Sequence, residues 1–269
     1  MTTEKQIPPW GQDELSTLFQ AAEDNDRVTS LNFPTVYRLL QRIDAAFKQI
    51  EETVEKDSRQ DLLIPRLLIA RTHSSFFASI RLSMSGQVPE ACAVLRTSIE
   101  QAWYFLHIAK DPNPPDRVTV WLRRNDDEPS RSKCKSEFKI RNVHSTHQSF
   151  DSVTAKTLHE LYERMIDLGG HPNPQGVLTS MSLSGTEEEI TCQVGLLAPK
   201  VTTVLFALKT AVEVAIGMFK VYHLIFPERF KIMGLDEKIE GLIRELNRVF
   251  KAYLSQFDEA ARREFLKPY

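Results

Sequence analysis

Apolar residues recur along most of the chain at the three-and-four spacing of helices that bury one side. Val36, Leu39, Leu40, Ile43, Phe47 and Ile50 form one such stripe, and Pro34 stands where a helix can begin. A shorter stretch, residues 12–23, reads as an N-terminal helix, and Asp57-Ser58 mark a break. Residues 61–85 predict a long helix with Leu63, Leu67, Ala70, Ser74, Phe76, Phe77, Ile80 and Met84 toward one side. The small residues Ser74, Ser75, Ala78 and Ser79 would let a neighbouring helix come close. Gly86 ends this helix, and Pro89 restarts the chain as a helix to about residue 110, carrying Val94, Leu95, Ile99, Ala102, Trp103 and Leu106. So short a connection makes the two helices antiparallel neighbours.

Asp111-Pro112-Asn113-Pro114-Pro115 breaks the pattern, and a short helix follows at 117–124. Residues 125–150 read as helix with weak periodicity. Asp151 or Ser152 can cap the next helix, whose stripe is Leu158, Leu161, Tyr162, Met165 and Leu168 and whose end is Gly169-Gly170. Residues 177–183 and 189–194, flanking Ser184-Gly185-Thr186, suggest the one β-hairpin. An apolar helix at 200–226 and two helices at 236–254 and 258–266 close the chain. The fold class expected is all-α, as a single domain over 1–269. Its core spans about 34–226, with peripheral ends at 1–25 and 227–269.

The 201–226 stretch is long enough to span a bilayer, but Lys209, Glu213 and Lys220 fall near one line of it, which fits a central bundle helix with one wet edge. The start of the chain is polar and lacks a secretory apolar segment. Cys92, Cys134 and Cys192 are widely separated, which argues against a disulfide scaffold and a thiolate zinc site. A cytoplasmic protein without membrane contact is the expectation. The formal net charge of -2 gives no whole-chain reason for nucleic-acid binding. Locally, Arg131, Lys133, Lys135, Lys139 and Arg141 outnumber Glu137, a run that is either a solvated helix face or a phosphate-attracting patch.

The glycine-rich phosphate loops GxGxxG and GxxxxGK[ST], the nucleophile elbow GxSxG and the zinc motif HExxH are all absent from the sequence. No cofactor and no metal is expected. His159 and Glu163, one helical turn apart, have the spacing to share a metal but read better as a solvated face, and His144 and His147, also about one turn apart, lie in a weaker segment.

The helix from Pro89 holds polar residues that look out of place. Arg96, Glu100, Trp103 and His107 run along one line beside Ile99 and Leu106, and Arg81 should lie near their N-terminal half. Charges placed there need partners, so a mostly buried network is expected. It either fixes helix register or lines a pocket for a small anionic ligand. His171, held between Gly169-Gly170 and Pro172-Asn173-Pro174, is either a turn residue satisfying backbone carbonyls or a general acid–base.

Taken together, the long helix at 66–84, Gly86, Glu90-Ala91, the string Leu95-Arg96-Thr97-Ser98-Ile99-Glu100, Asp111-Pro112, and Leu158-His159-Glu160-Leu161-Tyr162-Glu163 leading to His171-Pro172 resemble a group of bacterial all-helical proteins. That group is similar to the HEPN (higher eukaryotes and prokaryotes nucleotide-binding) helical bundles. The resemblance spans roughly residues 61–226. It implies an up-and-down bundle of four or five long helices, often a homodimer. Many HEPN members are metal-independent ribonucleases of toxin or defence systems, and others are non-catalytic. Their signature is an Arg followed by a His after four to six positions: the Arg steadies phosphate and the His moves protons. Three pairs here match that spacing: Arg66–His73, Arg141–His147 and Arg164–His171. Arg164 is followed by Met165, where the signature prefers a polar residue, but this pair ends the firmest helix. The functions in view are a binding or regulatory module around Arg96, Glu100 and His171, and a ribonuclease acting on RNA through Arg164 and His171 or through Arg141 and His147.

Overall fold

The computed structural model describes residues 9–170, 174, 176, 181–185, 190–198, 200–257 and 259. Its helices are α1 (Glu14–Asn32), α2 (Pro34–Glu55), α3 (Leu63–Ser85), α4 (Val88–Ala109), α5 (Asp116–Leu122), α6 (Glu128–Glu137), α7 (Ile140–Phe150), α8 (Ser152–Met165), α9 (Val201–His223), α10 (Pro227–Ile232) and α11 (Leu235–Leu254). The fold is all-α. The hairpin is present as β1 (Met181–Gly185) and β2 (Ile190–Val194), antiparallel with Met181 opposite Val194. Pairing runs to Gly185 opposite Ile190, so Ser184 and Gly185 belong to the strand and not to the turn expected there. The helix expected at 258–266 falls almost wholly outside the described residues.

The centre is α9. It is apolar on nearly every side, and a helix of that kind must be surrounded. Val204 to Tyr222 includes a long buried set, and α9 touches α2, α3, α4, α8 and α11. Among the described residues no helix is long and apolar enough to cross a membrane. On α2 the expected stripe is buried in full. On α11, Leu235, Ile239, Leu242, Leu246 and Val249 repeat at helical spacing and join the same core. The described helix α11 is therefore part of the core, where a peripheral position was expected. The α1 helix does stay peripheral: Ser16 and Thr29 are its buried residues, and Thr29 docks by donating to the Met84 carbonyl at 2.9 Å. It also runs on to Asn32, well past the expected end.

The α3 helix corrects the sequence reading most sharply. Its boundaries are as expected, but Leu63, Leu67 and Phe77 face solvent, while Pro65, Leu68, Ile69, Thr72, Ser75, Phe76, Ser79 and Ser83 face inward. Three of the buried hydroxyls return to their own helix, Thr72 donating to the Leu68 carbonyl, Ser79 to that of Phe76 and Ser83 to that of Ser79, while Ser75 donates to Gln101 Oε1 of α4 at 3.3 Å. Their small size suits a close approach by α4, the most extensive helix contact in the fold. Gly86 makes the reversal with φ +93, a left-handed conformation that strains residues bearing a Cβ, and its N–H caps the Leu82 and Ser83 carbonyls.

Two buried features hold the remaining helices. Asp57, at the α2–α3 break, takes two hydrogen bonds from the Arg59 guanidinium at 3.0 and 2.8 Å, and Arg229 of α10 lies 3.4 Å away. The Arg59 hydrogen bond leads in pulling the Asp57 carboxyl down to about 2. The end of α8 widens into a π turn, Ile166–Gly170, packed on the start of α4. A Cβ at Gly169 would lie 1.9 Å from the Pro89 carbonyl oxygen, a backbone atom with little room to move. We expect Gly169→Ala to destabilise the protein by about 1–3 kcal/mol in urea unfolding, the range for overpacked sites. A loss near zero would show that this contact is not tight.

Candidate functional site

The polar line along α4 divides into two clusters. At its first half Arg96 Nε lies 3.4 Å from Glu100 Oε1, and the Tyr162 hydroxyl of α8 donates to the same oxygen at 3.2 Å. The expected pair is present, but Arg96 and Glu100 keep 26% and 28% of their side-chain surface, so it is half-buried on the α4–α8 seam. At the other end His107 is buried and bridges Thr146 Oγ1 at 2.7 Å and Glu137 Oε1 at 3.1 Å. Arg117 Nε donates to that same Glu137 oxygen at 3.0 Å. Burial, and then the Arg117 charge, hold His107 below the usual histidine range. His107 therefore belongs to a different cluster from Arg96.

Arg81 is in neither cluster. It is 75% exposed, with Nε 3.5 Å from Asp26 Oδ2. The reason is the orientation of α3: Arg81 continues the outward line of Leu63, Leu67 and Phe77, while α4 packs on the opposite, serine-rich side.

Between the two clusters stands Trp103, fully buried. Its indole N–H donates to His147 Nδ1 on α7 at 3.1 Å. With Nδ1 accepting, the neutral ring carries its proton on Nε2, which is buried with no hydrogen-bond partner among the described residues. Burial pushes His147 down to about 4. The Tyr162 and His144 rings lie 5.3 and 5.4 Å from Trp103, and His144 and His159 lie 4.5 Å from each other. His144 Nε2 meets the Ala155 carbonyl at 3.3 Å, and His159 lies 3.8 Å from Glu163. Among the described residues no group of three or more His, Cys, Asp or Glu is arranged to hold a metal ion.

Arg164, near the end of α8, lies over the Phe206 ring at 5.5 Å and 3.8 Å from Glu213 Oε2 on α9. Lys209 pairs with the other Glu213 oxygen. Two cations thus share one carboxylate, close enough to Cys92 for Arg164 to act on its thiol, which burial pushes up to about 12. The Nε atoms of Arg96 and Arg164 are both buried without a hydrogen-bond partner among the described residues.

Of the three Arg–His spacings, two are accounted for structurally. His147 has no exposed surface, so it cannot reach a substrate in this structure. Arg66 closes the α2–α3 link through the Asp57 carbonyl, and His73 is held between Asp44 at 3.0 Å and Glu51 at 2.9 Å. His171, the partner of Arg164, lies outside the described residues. The sequence reading missed Tyr162 as a polar group, because it sits within an apolar stripe and only its hydroxyl leaves that stripe. Lys209 and Glu213 were visible as a charged line on an apolar helix, but their link to Arg164 depends on the α8–α9 contact.

Comparisons with family models, curated proteins and solved structures find no match to this chain.

The buried histidine has a measurable consequence. Between its ordinary value of 6.5 and about 4, unfolded His147 takes up a proton that the folded form does not. Stability is therefore full above pH 6.5 and falls as pH drops. The shift corresponds to about 1.4 kcal/mol per unit, or about 3 kcal/mol from this group by pH 4. Urea unfolding at pH 7 and pH 5 should show the loss, and His147→Gln, which keeps an acceptor for Trp103, should flatten the slope. An unchanged slope in the variant would contradict it.

Proposed function

We propose that this protein is a cytoplasmic binding or regulatory module that takes a small anionic ligand beside the half-buried arginines of α4 and α8. The observation that carries this reading is the state of Arg96 and Arg164: each is partly buried, and each has a buried Nε–H that makes no hydrogen bond among the described residues, Arg96 Nε standing 3.4 Å from Glu100 Oε1. An unmet buried donor costs about 1–3 kcal/mol, and a phosphate or carboxylate oxygen is the acceptor that suits a guanidinium best. The charge points the same way, since Arg96, Arg164 and Lys209 face Glu100 and Glu213, leaving one positive charge in excess. Glu100 and Glu213 hold the cations loosely, at 3.4 and 3.8 Å, so a ligand can improve the geometry without breaking a tight pair.

Inorganic phosphate and AMP, titrated calorimetrically, are the probes. Arg96→Gln and Arg164→Gln should each weaken binding by about tenfold, the worth of one charge-assisted contact. No binding to the wild type, or binding by both variants as tight as that of the wild type, would defeat the reading.

A second reading, a HEPN-like metal-independent ribonuclease, keeps one support. The Nε–H of Arg164 makes no hydrogen bond among the described residues, and Arg164 precedes His171 by seven residues, so it could steady a phosphodiester while His171 moves protons. Under this reading RNA should be cleaved in EDTA by the wild type and not by His171→Ala. Cleavage by both proteins removes His171, and cleavage by neither leaves the binding module.

A further inference from the structure

A cleft of about 430 Å³ opens among α1, α2 and α3, helices that carry neither Arg96 nor Arg164. Its floor is apolar: Leu40, Ile80 and Met84. Its mouth is aromatic, with Tyr37 from α2 and Phe77 from α3, and Phe77 is 59% exposed although it is a phenylalanine on a packed helix. Carboxylates stand on two sides, Asp26 from α1 and Asp44 from α2. Asp44 is engaged: Lys48 donates to one oxygen at 2.7 Å, and His73 meets the other at 3.0 Å. Asp26 is under-used. Its Oδ1 is buried with no hydrogen-bond partner among the described residues, and its Oδ2 meets the Arg81 guanidinium only at 3.5 Å. Burial raises the Asp26 carboxyl above the usual carboxylate range, against the pull of Arg81.

We propose that this cleft is a binding site for a small organic cation, an ammonium or guanidinium group on a short apolar stem. Each wall has a matching role. The apolar floor takes the stem, the Tyr37 and Phe77 faces attract the cation through their ring quadrupoles, and Asp26 Oδ1 accepts its N–H. The volume lies within the range of small-molecule sites, which are mostly apolar with a few fixed polar groups. Arg81 shows which chemistry the site favours: the chain's own guanidinium already reaches Asp26 from the rim, yet remains largely in solvent and leaves the buried oxygen unmet. Arg81 is thus a competitor for the ligand, and removing it should improve binding.

The test is calorimetric titration of the full chain with agmatine, whose guanidinium copies Arg81, and with phenethylamine. The neutral control is 2-phenylethanol. Both cations should bind in the millimolar range or tighter, and the alcohol at least about tenfold more weakly, the loss expected without the charged contact. Asp26→Asn should weaken binding of the cations by about tenfold for the same reason. Arg81→Gln, a change at an exposed side chain, should strengthen it several-fold. Failure of both cations to bind wild type and Arg81→Gln would overturn the proposal. So would equal binding by Asp26→Asn, or binding of the alcohol as tight as that of the amine.

Discussion

The hydrogen bond from Trp103 to His147 joins α4 to α7 inside the core. An indole N–H sealed inside a helical core needs an acceptor, and a ring nitrogen of a neutral histidine supplies it. The bond fixes α7 against α4. The end of α7 then fixes α8, because Asp151 follows α7 directly and caps α8 by accepting from the Thr154 N–H at 3.0 Å. From that start α8 runs beneath Trp103, bringing Tyr162 to Glu100 and Arg164 to Glu213. Arg164 therefore owes part of its position to a buried polar contact that does no chemistry itself.

That chain of dependence has an energetic cost. His147 Nε2 is left without a partner among the described residues, and the ring must stay neutral at pH values where a free histidine is charged. The fold meets the cost with packing. Gly217 lets Leu158 of α8 come so near α9 that a Cβ there would lie 2.5 Å from the leucine side chain, and Gly169 lets the π turn touch the backbone at Pro89. Close approach on both sides of α8 leaves little freedom for Tyr162 and Arg164. Pre-organised donors of this kind favour binding because less ordering remains when the ligand arrives.

Much of the fold was legible in the chain. Pro34, Gly86, the Asp111–Pro115 run, Asp151 and Pro227 all act as boundaries, for reasons that operate within a few residues. Faces were harder to read than boundaries. On α3, Leu63, Leu67 and Phe77 looked like the core, yet Thr72, Ser79 and Ser83 are buried, because their hydroxyls bond within the helix and only small residues permit the approach of α4. On α11 the helix was expected, but its membership in the main core depends on α9 and not on local pattern. The site was legible in part. Arg96 and Glu100 do pair, as their four-residue spacing suggests. Arg81 and His107 were misplaced, the first because the α3 face was reversed and the second because Glu137 and Thr146 arrive from distant segments. The aromatic and acidic cleft of α1, α2 and α3 could not be seen at all, since its walls are brought together only by packing.

The most direct test of the Trp103–His147 contact is nitrogen NMR of the histidine rings across pH. A neutral His147 accepting at Nδ1 should show a pyrrole-type Nε2 and a pyridine-type Nδ1 at pH 7, and should keep that pattern at pH 5. A His147 ring that titrates near 6.5, or that carries its proton on Nδ1, would contradict the contact and remove the support it gives to the arginine site.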